Sequence, residues 1–234
     1  MSNISYLVQL LQHYQRLPHH RHQALFDALQ QIQSWQIQRI YQTHATLFDN
    51  PKTAPLACYL IEQIYHNQSF DVIAQQLLTA GQNALSGVGK LEKLLPKHIL
   101  DVGILGVQAG IEAIELDLVL AQAYLDGKYH QPDTATMRHL YQSSGNKSAR
   151  IKQIQTIETV CQQCYEHFNS FLLFNAFKLA KKSAYQNGYQ PLYDFIHDGL
   201  HAIRTIDDIQ DFTQPFVAGE LATIEQMHQT DDGI

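Results

Sequence analysis

KHILDVGILGVQAGIEAIELDLVLAQAY, residues 97–124, decides the fold class. The run is mostly apolar, holds no proline and never alternates with period two, so it reads as one helix from about Lys97 to Tyr124. Asp101, Glu112, Glu115 and Asp117 make insertion into a bilayer too costly, and no membrane span is expected. At about 100° per residue, Asp101, Gln108, Glu112, Glu115 and Gln122 share one narrow stripe, the expected solvent edge of a mostly buried helix. Asp117 projects to the opposite side. That face carries Gly103, Gly106, Gly110, Ala113 and Ala121, small residues that let another helix approach closely. A carboxylate placed there requires a cation or several donors, because an unpaired buried charge is costly.

Outward from this helix, 3.6-residue periodicity continues in both directions. Helices are expected over about Ile4–Arg16, His22–Phe48 and Pro55–His66, then from a cap at Ser69 or Asp71 to Leu85, with a loop through Ser86-Gly87-Val88-Gly89 before Leu95-Pro96. Beyond it come a short helix capped by Asp133 and ended by Ser144-Gly145-Asn146, a long one over Ser148–Tyr185, and two more over Pro191–Phe212 and Pro215–His228. In the long helix, Ile154, Ile157, Cys161, Cys164, Phe168 and Phe171 form a packing seam. Its Phe171–Phe174 stretch is apolar nearly all round and is expected at the centre of the bundle, while Lys178, Lys181 and Lys182 suit its C-terminal dipole. The expectation is an all-α, irregular multi-helix bundle of eight or nine helices. It forms one domain over residues 1–234, with residues 1–20 as an N-terminal appendage.

Lys and Arg number 16 against 22 Asp and Glu, a net charge of −6 over 234 residues, which argues against a nucleic-acid partner. A hydrophobic share of 45% against 16% charged belongs to a folded chain rather than a disordered one. The three cysteines are an odd number without framework spacing, as in a reducing compartment. The N-terminus, MSNISYLVQLLQHY, lacks a basic start and is interrupted by Gln9 and Gln12, so no export signal is expected and the protein is read as cytoplasmic. No cofactor is expected.

Several motifs resemble chemistry. His197 and His201, at i and i+4, have metal-ligand spacing, but Leu192, Phe195, Ile196, Leu200 and Ile203 define the opposite, buried face, so the pair is read as solvated. Asp207-Asp208-Ile209-Gln210-Asp211 spells DDxxD, the Mg²⁺-diphosphate pattern of isoprenoid synthases. No second such motif exists upstream, and an acidic helix C-terminus is the preferred reading. Cys161-Gln162-Gln163-Cys164 lies inside a helical seam rather than at a helix start, which favours core cysteines. His19-His20-Arg21-His22 follows Pro18 and is read as exposed linker.

Tyr59-Leu60-Ile61-Glu62-Gln63-Ile64-Tyr65 resembles a degenerate form of the motif that names the bacterial FFLEELY-motif proteins. The resemblance runs from about Ile32 to Ile224 through Trp35-Gln36, Arg39, Thr43, Leu47, Leu95-Pro96, Glu115-Leu116-Asp117, Tyr141, Gly145, Arg150 and Gln153-Ile154. It implies a helical fold and no reaction, and it singles out Trp35, Arg39, Glu62, Tyr65 and Asp117. A helical hairpin about Asn50-Pro51 brings Arg39 and Glu62 to similar heights, so a buried Arg39–Glu62 pair is expected. The expected role is non-enzymatic binding of a protein or a small ligand. The alternative is a metal-dependent helical enzyme using the interior carboxylates or the His197, His201, Asp207, Asp208 and Asp211 region.

Overall fold

A computed structural model of the chain describes residues 2–87 and 97–229, all of whose regular structure is helical. The elements are α1 (Asn3–Tyr14), a 3₁₀ turn (Pro18–His20), α2 (Gln23–Thr43), α3 (Ala45–Asp49), α4 (Ala54–Cys58), a π-helix (Tyr59–Tyr65) and α5 (Asn67–Leu85). They continue as α6 (Lys97–Asp126), α7 (Thr134–Ser144), α8 (Lys147–Phe168), α9 (Phe171–Leu179), α10 (Lys181–Gln186), α11 (Gln190–Ile203) and α12 (Gln210–His228). The class is the expected all-α bundle, but its helices are more numerous and shorter than eight or nine.

The central α6 packs against α1, α2, α7 and α8, and α12 closes the far side against α7 and α8. Its solvent edge is the expected one, with Asp101 and Gln122 exposed and Gln108, Glu112 and Glu115 half-buried. One core joins Ile4 and Leu11 of α1, Leu29 and Ile32 of α2, Ile114 and Leu120 of α6, and Met137 and Leu140 of α7. A second gathers Leu47, Leu56, Cys161, Ile203, Phe212 and Phe216. No helix among the described residues is long and apolar enough to cross a membrane.

The extra breaks have local causes. α2 stops at Thr43 because His44 leaves helical geometry (φ −116°, ψ 28°) and turns its ring inward, where it is 3% exposed. The expected 148–185 helix is interrupted at Asn169-Ser170, where the Ser170 hydroxyl accepts from Leu173 N and caps α9. Phe171–Phe174 therefore starts a new helix instead of filling the middle of a long one, and Leu179 at its end is 86% exposed. Lys181 and Lys182 open α10 rather than close a helix, so only Lys178 meets a C-terminal dipole. Neither Ser69 nor Asp71 caps α5, which begins after His66. Asp133 does cap α7, accepting from Thr136 N, and Gly145 ends it with φ +65°. The expected loop through Val88 and Gly89 to Leu95-Pro96 lies outside the described residues, apart from Ser86 and Gly87. α11 ends at Ile203 and α12 opens at Gln210 with Pro215 inside it, so the DDxxD stretch sits at a helix N-terminus, where acids are favoured.

The turn after α1 also departs from expectation. Pro18 opens the 3₁₀ turn and folds His19 inward to 2% exposure, beside Tyr14 (ring centroids 5.8 Å) and His20 (3.9 Å), whereas Arg21 and His22 stay exposed. Burial first, then the neighbouring His20, lowers the His19 pKa to about 4, so its ring is neutral at neutral pH.

Two glycines of α6 make opposite demands. A Cβ on Gly110 would stand 2.9 Å from Cε2 of Phe70, a ring 3% exposed and held edge-on against Tyr14. A Cβ on Gly106 meets only Val160, at 3.9 Å. Gly110→Ala is expected to lose about 1–2 kcal/mol net of helix propensity, and Gly106→Ala to gain up to about 1 kcal/mol. Urea unfolding of both variants checks this, and equal shifts would contradict the close helix approach at Gly110.

Candidate functional site

The motif-like segment Tyr59–Tyr65 is wound throughout as a π-helix, a form that is rare and frequent at functional sites. Its i→i+5 bonding advances each residue by less than the 100° of an α-helix, so the side-chain phase drifts from any α-helical wheel. Glu62 consequently faces solvent and accepts a 2.8 Å hydrogen bond from the Tyr41 hydroxyl. The expected buried pair of Arg39 with Glu62 does not form. Arg39 turns instead to Glu220 of α12, donating from Nη2 to Oε2 at 2.9 Å and from Nη1 to Oε1 in a bidentate pair. His44 Nε2 lies 2.8 Å from the same Oε1. It reaches it because residue 219 is glycine, where a Cβ would stand 2.6 Å from the imidazole Cε1. Burial alone would raise the Glu220 pKa, but Arg39 and the His44 hydrogen bond outweigh it and hold the carboxyl below its usual range.

Asp117 is fully buried, as its place on the helix wheel requires, and has both kinds of partner. Arg150 of α8 donates to Oδ1 at 3.0 Å and to the Leu116 carbonyl at 3.0 Å. Tyr65 donates its hydroxyl to Oδ2, and burial first, then the Asp117 charge, pushes that phenol well above its ordinary pKa. The Tyr65 carbonyl, at the end of the π-helix, accepts from buried Gln33 at 3.2 Å. A bridge joins the two ion pairs: Arg39 Nη2 donates to Gln36 Oε1 at 3.3 Å, Gln36 donates to the Tyr141 hydroxyl, and the Arg150 guanidinium lies 4.6 Å from the Tyr141 ring centroid. Five helices and the π-helix thus meet in one polar network.

This network borders a cavity of about 100 Å³. Gln36, Arg39, Tyr65, Tyr141, Arg150, Gln153 and Glu220 line it, facing Ile40, Ile61, Ile154, Ile157, Val160 and Ile224. Ile40, Ile61, Ile154 and Ile224 are buried yet belong to neither core, because they line this space instead. Nε of Arg39 and Nε of Arg150 are buried with no hydrogen-bond partner among the described residues. The cavity is therefore bordered by two guanidinium groups, each with a buried Nε lacking a partner, and by an isoleucine-rich wall.

Of the residues singled out by sequence, Arg39 and Tyr65 line the cavity and Asp117 anchors Arg150 behind it. Trp35 packs on the first core, and Glu62 stands outside. Sequence reasoning missed His44 and Glu220, and quoted Tyr141, Arg150 and Gln153 only as parts of a pattern. Glu220 carried a legible signal: Phe216, Ile224 and Met227 place it on the buried stripe of α12.

The other motifs stay apart. His201 is exposed, and His197 is half-buried beside Phe174 and Tyr193. Asp207 pairs with Lys52 at the surface, and Asp208 accepts from Gln210 N. Among the described residues, these five form no group close enough to share an ion. Cys58, Cys161 and Cys164 are free, and burial pushes the Cys164 thiol up to about 12, which suits packing rather than nucleophilic attack.

An all-helical bundle closed on a buried ion-pair network and a small amphipathic cavity is the class this geometry defines. Residues 15–233 match the family model described as Domain of unknown function (DUF8198), and the chain belongs to that family. No curated protein and no solved structure matches it.

Proposed function

We propose that the protein is a cytoplasmic small-ligand binder of the FFLEELY-motif type, and that its ligand occupies the cavity behind the π-helix. The observation that carries this reading is a cavity walled by isoleucines and lined by two buried arginines, each with an Nε–H that has no partner among the described residues. Burying an unpaired donor is costly, and an acceptor oxygen on a ligand offsets that cost. Arg39 and Arg150 are each neutralised by a carboxylate, Glu220 and Asp117, so the acceptor need not carry charge. A cavity of about 150 Å³ holds benzene, with six non-hydrogen atoms; one of about 100 Å³ suits a smaller molecule of about four or five non-hydrogen atoms ending in a carbonyl or carboxylate. The blocks of the motif pattern support the reading, since Gln36, Arg39, Tyr65, Tyr141, Arg150 and Gln153 all line that space. The metal-dependent alternative has less support, because both interior carboxylates are already taken by guanidinium groups.

Propanamide and propanoate are suitable probes. At about 100 times its dissociation constant a probe stabilises by about 2.7 kcal/mol, a rise in melting midpoint of roughly 5–11 °C. Gly106→Leu adds a side chain at the cavity lining, where a Cβ makes only an ordinary 3.9 Å contact with Val160, and is expected to leave the polar network intact. It is expected to fold and to show no response. Equal responses in both proteins, or none in the wild type, would overturn the reading.

A further inference from the structure

His19, His20 and Asp71 meet where the 3₁₀ turn folds against α5, and none of them lines the cavity. One ligand atom from each lies within 4.8 Å of the other two, and His20 Nε2 stands 4.0 Å from Asp71 Oδ1. His19 is the decisive member. It is 2% exposed, and both of its ring nitrogens are buried without a hydrogen-bond partner among the described residues. A neutral imidazole always presents one donor and one lone pair, and native interiors rarely leave both unused. Asp71 is already oriented, because the buried Tyr14 hydroxyl donates to its Oδ1 at 2.5 Å, the kind of outer contact that fixes a metal-ligating carboxylate. The side chains of His20 and Asp71 are 24% and 33% exposed, which gives an ion a path in and leaves room for water as a further ligand.

We propose that His19, His20 and Asp71 bind a divalent transition-metal ion of zinc type, through one nitrogen of each imidazole and one carboxylate oxygen. Zinc–nitrogen and zinc–oxygen bonds of about 2.0–2.2 Å put the ligand atoms of a tetrahedral shell about 3.4 Å apart. The observed atoms must therefore close by at most about 1.4 Å, within the reach of side-chain rotation at two partly exposed residues. Two imidazoles with one carboxylate select zinc and its neighbours over magnesium or calcium, which take oxygen ligands. The bound ion pins the turn after α1 onto α5.

The test uses the full, untagged chain, stripped with a chelator and titrated with Zn²⁺, and in parallel with Co²⁺ for its visible absorption. One Zn²⁺ per chain is expected, with a raised melting midpoint and a Co²⁺ spectrum of a nitrogen- and oxygen-bound ion. His20→Gln and Asp71→Asn alter partly exposed side chains, so both are expected to keep the wild-type helical circular dichroism. Each should weaken Zn²⁺ binding tenfold or more. The chain's other histidines, His19 and His20 being two of thirteen, supply weak sites elsewhere, so His201→Gln serves as the control that retains full affinity. Gly106→Leu should also retain it, which separates this site from the cavity. Wild-type affinity in both His20→Gln and Asp71→Asn, or no stoichiometric binding by the wild type, would overturn the proposal.

Discussion

Asp117→Asn is expected to lower the unfolding free energy by about 3–5 kcal/mol, the cost of leaving a buried cation without its partner. The carboxylate has no solvent exposure and holds both the Arg150 guanidinium and the Tyr65 hydroxyl. An asparagine fits the same volume and still accepts one of those bonds. It supplies no charge to Arg150, whose side chain is 6% exposed and lies over the Tyr141 ring. For a chain of this size the loss corresponds to a fall in melting midpoint of roughly 6–20 °C. Arg150→Met on its own leaves the opposite charge stranded and should cost a similar amount. The double variant, with neither charge of this pair left stranded, should recover part of the loss. Urea midpoints of the four proteins close the cycle. An Asp117→Asn protein as stable as wild type would mean that water reaches Arg150 and that the cavity is wet at this end.

The sequence carried the parts of this structure that depend on one helix at a time. The stripe on residues 97–124 located both the solvent edge and the buried carboxylate, because a wheel needs only the regular advance of an α-helix. It failed where that advance changes. Tyr59–Tyr65 is as apolar as an α-helix would be, and nothing in its composition marks i→i+5 bonding, so an α-helical wheel puts Glu62 inside and pairs Arg39 with it wrongly. The true partner lies 181 positions away on α12, a pairing fixed by how helices are ordered in space and not by spacing along the chain. The same limit applies at His44 and Asn169-Ser170, where tertiary contacts and a single cap end helices that propensity alone would continue. The expectation of an exposed His19 fails for a related reason: polar residues after a proline usually face water, and only the fold of the 3₁₀ turn against Tyr14 turns this one inward.

Glu220→Gln strands the second guanidinium, and about 3–5 kcal/mol of stability is again expected to go. Here pH offers an independent reading. The folded-state pKa of Glu220 lies below its unfolded value, so the unfolded chain binds more protons once pH falls beneath the ordinary glutamate range. The contribution of this carboxylate is complete above that range and is lost as pH falls through the folded pKa. Wild-type stability should therefore decline on acidification below about pH 4.5, and the gap between wild type and Glu220→Gln should narrow over the same interval. A gap that stays constant with pH would mean that the charge of Glu220 contributes nothing. Arg39→Met combined with Glu220→Leu removes both charges and is expected to recover most of that loss, the remainder being the cost of the His44 nitrogen left without its partner. If that double variant folds as well as the wild type yet no longer responds to propanamide or propanoate, the ion pair is kept for what it does at the cavity wall, since an apolar pair would have held α2 to α12 equally well.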